Sequence, residues 1–319
     1  MLNMTDTDVR TFQMRKEKVI VICGPTGIGK TALSLMMAEE FKGEIVGADS
    51  MQIYRFMDVG TAKPSLKERS RIPHHMIDII PPDSPFDAAS YAKLAREAIL
   101  KIREQGRVPF VVGGTGFYIK ALLYGLFQAK PADPAVRQRL KNDAASYGGA
   151  YVYEKLLLCD PAAADRIHPN DTYRIIRALE VYEISGKSMS EFQKSHGFAD
   201  SPYAVLKIGL LIPREQLYER IDHRVDKMIE DDLLNEVKNL LEMGFADDLR
   251  PMQALGYRHM VDFLRGRMSW DDTIYTLKRD TRRYAKRQLT WFQNDPEVIW
   301  RSPDEHGEIT ELIHRFLNA

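Results

Sequence analysis

The sequence predicts an α/β protein in which a parallel sheet core is interrupted by a helical insertion. Three observations carry this. The β-branched run Val19-Ile20-Val21-Ile22 leads into Gly24-Pro25-Thr26-Gly27-Ile28-Gly29-Lys30-Thr31, and good helix formers follow from Ala32 to Glu40. Apolar runs and helical periodicity then alternate as far as about residue 113. From about residue 130 to 203 the β-branched runs vanish and charged helical segments replace them, before a strand resumes at Ala204.

The first of these is a strand–loop–helix unit with the spacing G-x-x-x-x-G-K-[ST], the pattern of a phosphate-binding loop in a P-loop NTPase-like core. Glycines let the backbone turn tightly and aim several N–H groups at one anion, and the helix N-terminus adds its positive dipole end. Lys30 is expected to reach the terminal phosphates and the Thr31 hydroxyl to bind Mg²⁺. The loop alone does not say which phosphate compound it holds.

Residues 43–49 read as a second strand ending at Asp49, followed by a polar, loop-like stretch to Pro64. His74 to Ile80 suggests a further short strand stopped by Pro81-Pro82. Between Asp87 and Gly106 the apolar residues Ala88, Tyr91, Ala92, Ala95, Ala98, Ile99 and Ile102 fall at helical spacing, with Asp87 as N-cap and Gly106 as stop. Val108 to Val112 is another strand, ending in Gly113-Gly114-Thr115-Gly116. In an open parallel sheet ligands sit at the carboxyl ends of the strands, which is where the glycine loop, Asp49 and Thr115 lie. Helices are expected at 133–147, 150–158 and 171–185, then at about 214–243, 254–265 and 270–293. The predicted division is a core of 1–127 with 204–319, and an insertion of 128–203.

Lys plus Arg and Asp plus Glu both number 45, which argues against a generally basic, sticky protein but leaves room for a local basic face. Two cysteines cannot make a four-ligand zinc site, and Cys23 in the first strand reads as a buried thiol in a reducing compartment. The first 17 residues lack the apolar segment of a secretory signal, and no run approaches a membrane span, so a cytoplasmic protein without a membrane partner is expected.

Four constellations could carry chemistry. Asp49 could hold Mg²⁺, act as a general base, or simply cap a turn. Thr115 could contact substrate or cap the following helix, and both can hold together. Arg174 and Arg177 share a helix face, as do Arg220 and Arg224, and the latter pair could grip a pyrophosphate; pairing with Glu219, Asp222 or Asp226 is the alternative. Between 277 and 292, Leu277, Tyr284 and Trp291 recur every seven residues and are expected to form a buried seam, with Arg279, Arg282, Arg283 and Lys286 largely off it. Those cations are either a solvated face or a stripe for a nucleic-acid backbone.

Taken together, GPTGIGKT (24–31), ADSMQIYR (48–55), MDVGTAKP (57–64), PHHMID (73–78), VVGGTGFYIKALLYGL (111–126), HPNDTYRIIRALEVYEISGK (168–187), ALGYR (254–258) and TRRYAKRQLTWF (281–292) resemble the bacterial tRNA dimethylallyltransferase, or tRNA isopentenyltransferase, family. The resemblance spans nearly the whole chain in the family's order. It implies transfer of a dimethylallyl group from its diphosphate to the exocyclic amine of the adenosine on the 3′ side of the anticodon in tRNA. Residues 24–31 would then hold the donor diphosphate with Mg²⁺, Asp49 would be the base, and Thr115 would contact the reacting adenosine or donor. Arg220 or Arg224 would assist the leaving group. By the same resemblance Asp49, Ser50, Met51, Gln52, Thr115, Tyr173, Arg174, Ile175, Ile176, Arg177, Gly256, Tyr257 and Arg258 would line the path of the anticodon stem-loop, with Arg282 and Arg283 added from the basic stripe. Tyr173-Arg174 stands where the family often has Gln-Arg. A monomer is expected. The competing reading is a P-loop nucleoside or small-molecule kinase with the helical insertion as a lid.

Overall fold

The structure, a computed structural model, describes residues 16–127, 133–197 and 201–319. The chain divides into two compact units, residues 1–123 with 202–319 and residues 124–201.

The larger unit is built on a six-stranded, all-parallel sheet in the order β3-β2-β4-β1-β5-β6. The strands are β1 (Glu17–Cys23), β2 (Gly43–Gly47), β3 (His74–His75), β4 (Val108–Gly113), β5 (Tyr203–Leu210) and β6 (Val298–Arg301). Central β1 is apolar on both faces, as a strand covered by helices on each side requires, and Val19 to Ile22 are wholly buried. Burial pushes the Cys23 thiol up to about 12, so it stays protonated and inert. The flanking helices are α1 (Lys30–Glu40), α2 (Leu66–Arg71), α3 (Ala88–Glu104) and α4 (Gly116–Tyr124). The Asp87 carboxylate caps α3 by accepting from the Ser90 N–H, as its sequence position predicts.

The third expected strand is shorter than its apolar pattern. After His75 the backbone turns out of the sheet, with Met76 and Asp78 at φ 66° and 56°. Asp78 is held there by Lys63 and Arg69, both at 2.5 Å, and these ion pairs outweigh the strand propensity of Ile77 to Ile80.

The smaller unit holds α5 (Pro134–Tyr147), α6 (Gly149–Cys159), α7 (Pro161–Arg166), α8 (Thr172–Ser185) and α9 (Met189–His196). Its own core contains Leu140, Val152, Leu156, Ile175, Ile176 and Leu179. A wholly buried Glu180 carboxylate sits in it, accepting from Arg137 and Arg177 at 2.8 Å each, and these guanidiniums hold it below the usual carboxylate range against the opposing effect of burial.

Back in the larger unit, β5 is followed by α10 (Arg214–Glu230), α11 (Leu233–Glu242), α12 (Tyr257–Leu264), α13 (Trp270–Gln293) and α14 (His306–Asn318). The long helical region expected over about 214–243 is two helices, broken where Asp232 adopts a left-handed conformation, φ 69°. The break lets Leu233, Val237 and Leu240 turn into a second apolar cluster with Ile53, Met57 and Tyr257. The helix α2, the strand β6 and the helix α14 lie outside the elements that the pattern predicts; α2 opens on a capping box between Ser65 and Glu68. Trp291 is not part of a buried seam: it is 41% exposed. A seven-residue repeat drifts around a straight helix of 3.6 residues per turn, and the buried line instead runs through Leu277, Ala285, Gln288 and Phe292.

Candidate active site

A cavity of about 800 Å³ opens at the carboxyl ends of the strands in the larger unit. Its floor is the loop between β1 and α1. Lys30 is the first residue of α1, and Gly29, at φ 103°, supplies the left-handed turn that swings the chain into the helix. The Lys30 ammonium donates to the Gly24 and Pro25 carbonyls at 3.0 and 2.8 Å, folding the loop around itself. Burial, and next the nearby Arg224 guanidinium, lower its pKa to about 8, while Asp49 acts in the opposite direction. Arg224 itself is held below its ordinary value by burial, with Asp49 again opposing. Lys30, Arg224 and Asp49 therefore form one mutually felt cluster of two cations and a carboxylate. Thr31 lines the same cavity.

Asp49 follows β2. Its Oδ1 accepts from the Met51 N–H at 2.8 Å and the Gln52 N–H at 3.4 Å, so it does cap its own turn. Among the described residues no donor meets its Oδ2. The neighbouring Thr115 is not a side-chain helix cap. Its Oγ1 accepts from the Ser50 N–H at 3.0 Å, and only its carbonyl starts α4, accepting from Tyr118 and Ile119. The effect is to tie the turn after β4 to the turn after β2. Close approach explains the glycines: a Cβ on Gly113 would lie 2.1 Å from the Ala48 carbonyl oxygen.

Opposite, α13 closes the cavity with Thr281, Tyr284, Arg287 and Gln288. Gln288 bridges both loops. Its Oε1 accepts from the Thr26 N–H and its Nε2 donates to the Gly114 carbonyl, each at 2.9 Å. Burial, and then Asp49, push the Tyr284 hydroxyl well above its usual range, so it remains a neutral donor. The seven-residue repeat gave Tyr284 only as a seam residue and passed over Gln288 among basic neighbours. The available signal was the 4-3-4 spacing of Leu277, Thr281, Tyr284 and Gln288, which sets a polar amide on the same side of the helix as three residues that line the cavity.

The expected site residues fall into two groups. Residues 24–31, Asp49 to Gln52, Thr115, Arg220, Arg224, Gly256 and Arg258 are brought together in the larger unit, where all but Gly24, Pro25, Ile28 and Thr115 line the cavity, and Thr115 is bonded to the lining residue Ser50. Arg224 is the deeper of the two arginines; among the described residues Arg220 donates to the Ile28 carbonyl alone, at 3.4 Å. Ile28 contributes backbone alone, since its side chain is wholly buried in the core. Gln52 donates its amide to the Thr61 and Ala62 carbonyls. Tyr257 cannot present its ring to a ligand. It is wholly buried, with its hydroxyl on Glu236 at 2.6 Å. Arg258 donates to Asp280 at 2.6 Å and remains 42% exposed at its side chain. Arg282 does not stand free: its Nη1 meets both Asp222 oxygens, at 2.5 and 2.7 Å. Arg283 projects outward, 3.6 Å from Asp280 and 64% exposed.

The second group lies on α8 of the smaller unit. Tyr173 is 74% exposed, and Arg174 projects beside Asp171 at 3.4 Å. Ile175 and Ile176 are core residues there, so the expected RNA contact by their side chains is corrected: the apolar face they complete is turned inward. Arg177 is engaged by Glu180.

Residues 52–295 match the IPP transferase family, and residues 17–79 match isopentenyl transferase. A tRNA dimethylallyltransferase of Desulfosudis oleivorans is 51% identical over 303 residues, 95% of this chain and 96% of that protein. Another, of Syntrophobacter fumaroxidans, is 52% identical over 92% of this chain and 86% of its own length. Among solved structures, the full-length tRNA isopentenylpyrophosphate transferase of Bacillus halodurans superposes with a TM-score of 0.72 at 42% identity, covering 95% of this chain and 97% of that one. A eukaryotic dimethylallyltransferase acting on tRNA gives 0.76 at 31% identity, over 90% and 74%. A family match across most of the sequence, relatives half identical end to end, and a cavity that gathers the same motifs make one conclusion: this chain belongs to the IPP transferase family.

Proposed function

We propose that the protein transfers a dimethylallyl group from dimethylallyl diphosphate to the N6 amine of the adenosine 3′-adjacent to the anticodon of tRNA, releasing diphosphate. The observation that carries this reading is the placement of Lys30, Thr31 and Arg224 in one cavity with Asp49, and of Thr115 behind its wall, bonded to the lining residue Ser50. Cations and loop N–H groups suit a departing diphosphate; a carboxylate with a free oxygen suits an amine that must lose a proton.

The allylic C–O bond breaks as its electron pair leaves with the diphosphate. Positive charge on the allylic carbon is tolerable, so catalysis consists mainly of neutralising the leaving group and positioning the amine. Lys30 and Arg224 supply that charge. The adenine amine forms the new C–N bond, and Asp49 takes its proton from within about 3 Å. Thr115 and Ser50, joined by their hydrogen bond, hold the wall against which the base lies. The adenosine must first leave its stack, at a cost of a few kcal/mol, less in a loop than in a duplex. Exposed Arg258, Arg283, Tyr173 and Arg174 are the RNA-facing side chains of this reading.

Mg²⁺ fits this donor set. Among the described residues no group of three or more carboxylate, histidine or cysteine side chains could hold a metal ion by itself, and Mg²⁺ characteristically keeps waters and binds through substrate phosphates with few protein ligands. The Thr31 hydroxyl would hold the ion, which supplies further charge neutralisation for the diphosphate. No helix among the described residues is long and apolar enough to cross a membrane, and the reading is of a cytoplasmic, monomeric enzyme.

The test is mass spectrometry of tRNA incubated with protein, Mg²⁺ and dimethylallyl diphosphate. One dimethylallyl group should replace one hydrogen on the anticodon-loop adenosine. Unmodified tRNA, with phosphoryl transfer from ATP to a nucleoside in a parallel reaction, would replace this reading with that of a kinase.

A further inference from the structure

The phosphate loop differs from a fully open anion cradle at one position. Among the described residues nothing accepts from the N–H groups of Gly27, Ile28 or Gly29, and Gly27 and Gly29 line the cavity. The Thr26 N–H is already engaged, at 2.9 Å, by Oε1 of Gln288, a side chain 6% exposed. The orientation of that amide is fixed by its second bond. Nε2 donates to the Gly114 carbonyl at 2.9 Å, and flipping the group would set donor against donor and acceptor against acceptor at both ends. The loop thus lacks one donor at its N-terminal end and carries a partial negative charge there instead.

Space does not limit the ligand, since the cavity of about 800 Å³ exceeds what a diphosphate fills. Chain length must be read electrostatically. A diphosphate is served by the N–H groups from Gly27 onward, the helix N-terminus and Lys30. A third phosphate, extending toward Thr26, would meet no N–H and would lie against the amide oxygen. We propose that Gln288 is a specificity-determining residue: by withdrawing the Thr26 N–H it restricts the loop to diphosphates and rejects triphosphates, including nucleoside triphosphates. This rests on the prenyl-transfer reading, in which the ligand is a diphosphate. It uses an unfavourable contact, as well as favourable ones, to discriminate.

The probes are inorganic pyrophosphate and inorganic tripolyphosphate with Mg²⁺, titrated calorimetrically into the full chain. The wild type should bind pyrophosphate about tenfold or more tighter than tripolyphosphate, the worth of one hydrogen bond to a charged group. Gln288→Met keeps the side-chain length but frees the Thr26 N–H, and the ratio should fall toward one. Gln288→Glu, protonated as burial favours, keeps an acceptor for Thr26 and a hydroxyl that can donate to the Gly114 carbonyl, and should preserve the preference, a result that general loosening of the loop would not produce. A Met variant that folds and retains the wild-type ratio overturns the proposal, as does a wild type without preference. If the Met variant does not fold, loss of preference in Gln288→Glu overturns it and retention upholds it. Prenylation of tRNA by the wild type is scored separately. Its absence with selectivity intact defeats the functional reading alone, and its presence with selectivity unmoved by Gln288→Met defeats this inference alone.

Discussion

The Tyr257 hydroxyl donates to Oε1 of Glu236 at 2.6 Å, and through that carboxylate the helix α12 holds the loop 58–60. Glu236 also accepts from the N–H groups of Asp58, Val59 and Gly60 at 2.8, 2.7 and 3.0 Å. One side chain therefore satisfies three backbone donors and a phenol. Gly60 is required by the same contact, since a Cβ there would meet the Tyr257 ring at 2.6 Å. Glu236→Ala leaves all four donors without it and should cost about 3 kcal/mol. Tyr257→Phe removes one bond and should cost about 1 kcal/mol. Urea unfolding monitored by circular dichroism checks both. Equal effects would mean that the carboxylate does not organise the loop.

Gly116 and Trp291 are the next test of close packing. A Cβ on Gly116 would lie 2.0 Å from Nε1 of Trp291, although that indole is 41% exposed. Gly116→Ala should destabilise by about 1–3 kcal/mol, the usual cost of overpacking. Because the obstacle is a side chain, adding Trp291→Ala should recover much of that loss, giving a coupling of about 1 kcal/mol or more in a double-mutant cycle. Additive effects would place the cost in the α4 backbone.

The two arginines of the basic stripe should behave differently. Arg282 is anchored on Asp222, linking α13 to α10, so Arg282→Ala should lower stability by about 1–3 kcal/mol through the carboxylate it leaves behind. Arg283 is exposed. Its replacement by Ala should leave stability nearly unchanged, weaken tRNA binding, and reduce the salt slope of that binding by about one. Filter binding across a salt series separates them. A salt slope that moves for Arg282→Ala and not for Arg283→Ala would reverse the assignment.

Strand–loop–helix order, the phosphate loop and the turns at Asp49 and Thr115 were legible because each is a local pattern: a period, a glycine spacing, a residue at a strand end. Gln288 was not, because its role is a pair of bonds to residues 262 and 174 positions away. The break at Asp232 was hidden for a related reason. Helix propensity continues smoothly from 214 to 243, and only the tertiary demand that Leu233 and Val237 reach Tyr257 shows why the chain must turn. Ile175 and Ile176 illustrate the opposite error, in which a motif carried by resemblance included apolar positions whose physical role is core packing.

Lys30 gives the free enzyme a pH dependence. Its pKa, lowered to about 8 by burial and Arg224, lies below the ordinary lysine value of 10.5. The unfolded chain therefore holds a proton that the folded one lacks between these values. Through this group the stability of the ligand-free protein rises with pH from about 8 to about 10.5, the charged form being disfavoured below that window. Anion binding runs the other way, since it needs the charge. Pyrophosphate affinity should decline above about pH 8, by about tenfold per unit. Arginine stays charged throughout this range. The difference between wild-type and Lys30→Arg binding curves isolates Lys30 from the titration of pyrophosphate itself, and parallel curves up to about pH 9.5 would remove Lys30 as the titrating group.

Asp49 favours the charged form of Lys30 and can be tested through that effect. Asp49→Asn keeps the turn, since an amide oxygen can still accept from the Met51 N–H, but removes the charge and the basicity. If the carboxylate takes the amine proton, single-turnover prenylation should fall by about 10² to 10⁴. Because Asp49 favours the charged form of Lys30, the onset of pyrophosphate weakening should also move to lower pH in Asp49→Asn. Below that onset the variant should bind pyrophosphate at least as well as the wild type, since a negative charge has been taken from the neighbourhood of an anion. A Mg²⁺ titration of the single-turnover rate separates the remaining alternative: recovery of the rate by added metal would make Asp49 a metal ligand and not the base. A large rate loss with an unmoved pH onset would place the carboxylate at the amine but outside the electrostatic reach of Lys30. A moved onset with a near-normal rate would make Asp49 the counter-charge that keeps the phosphate loop cationic.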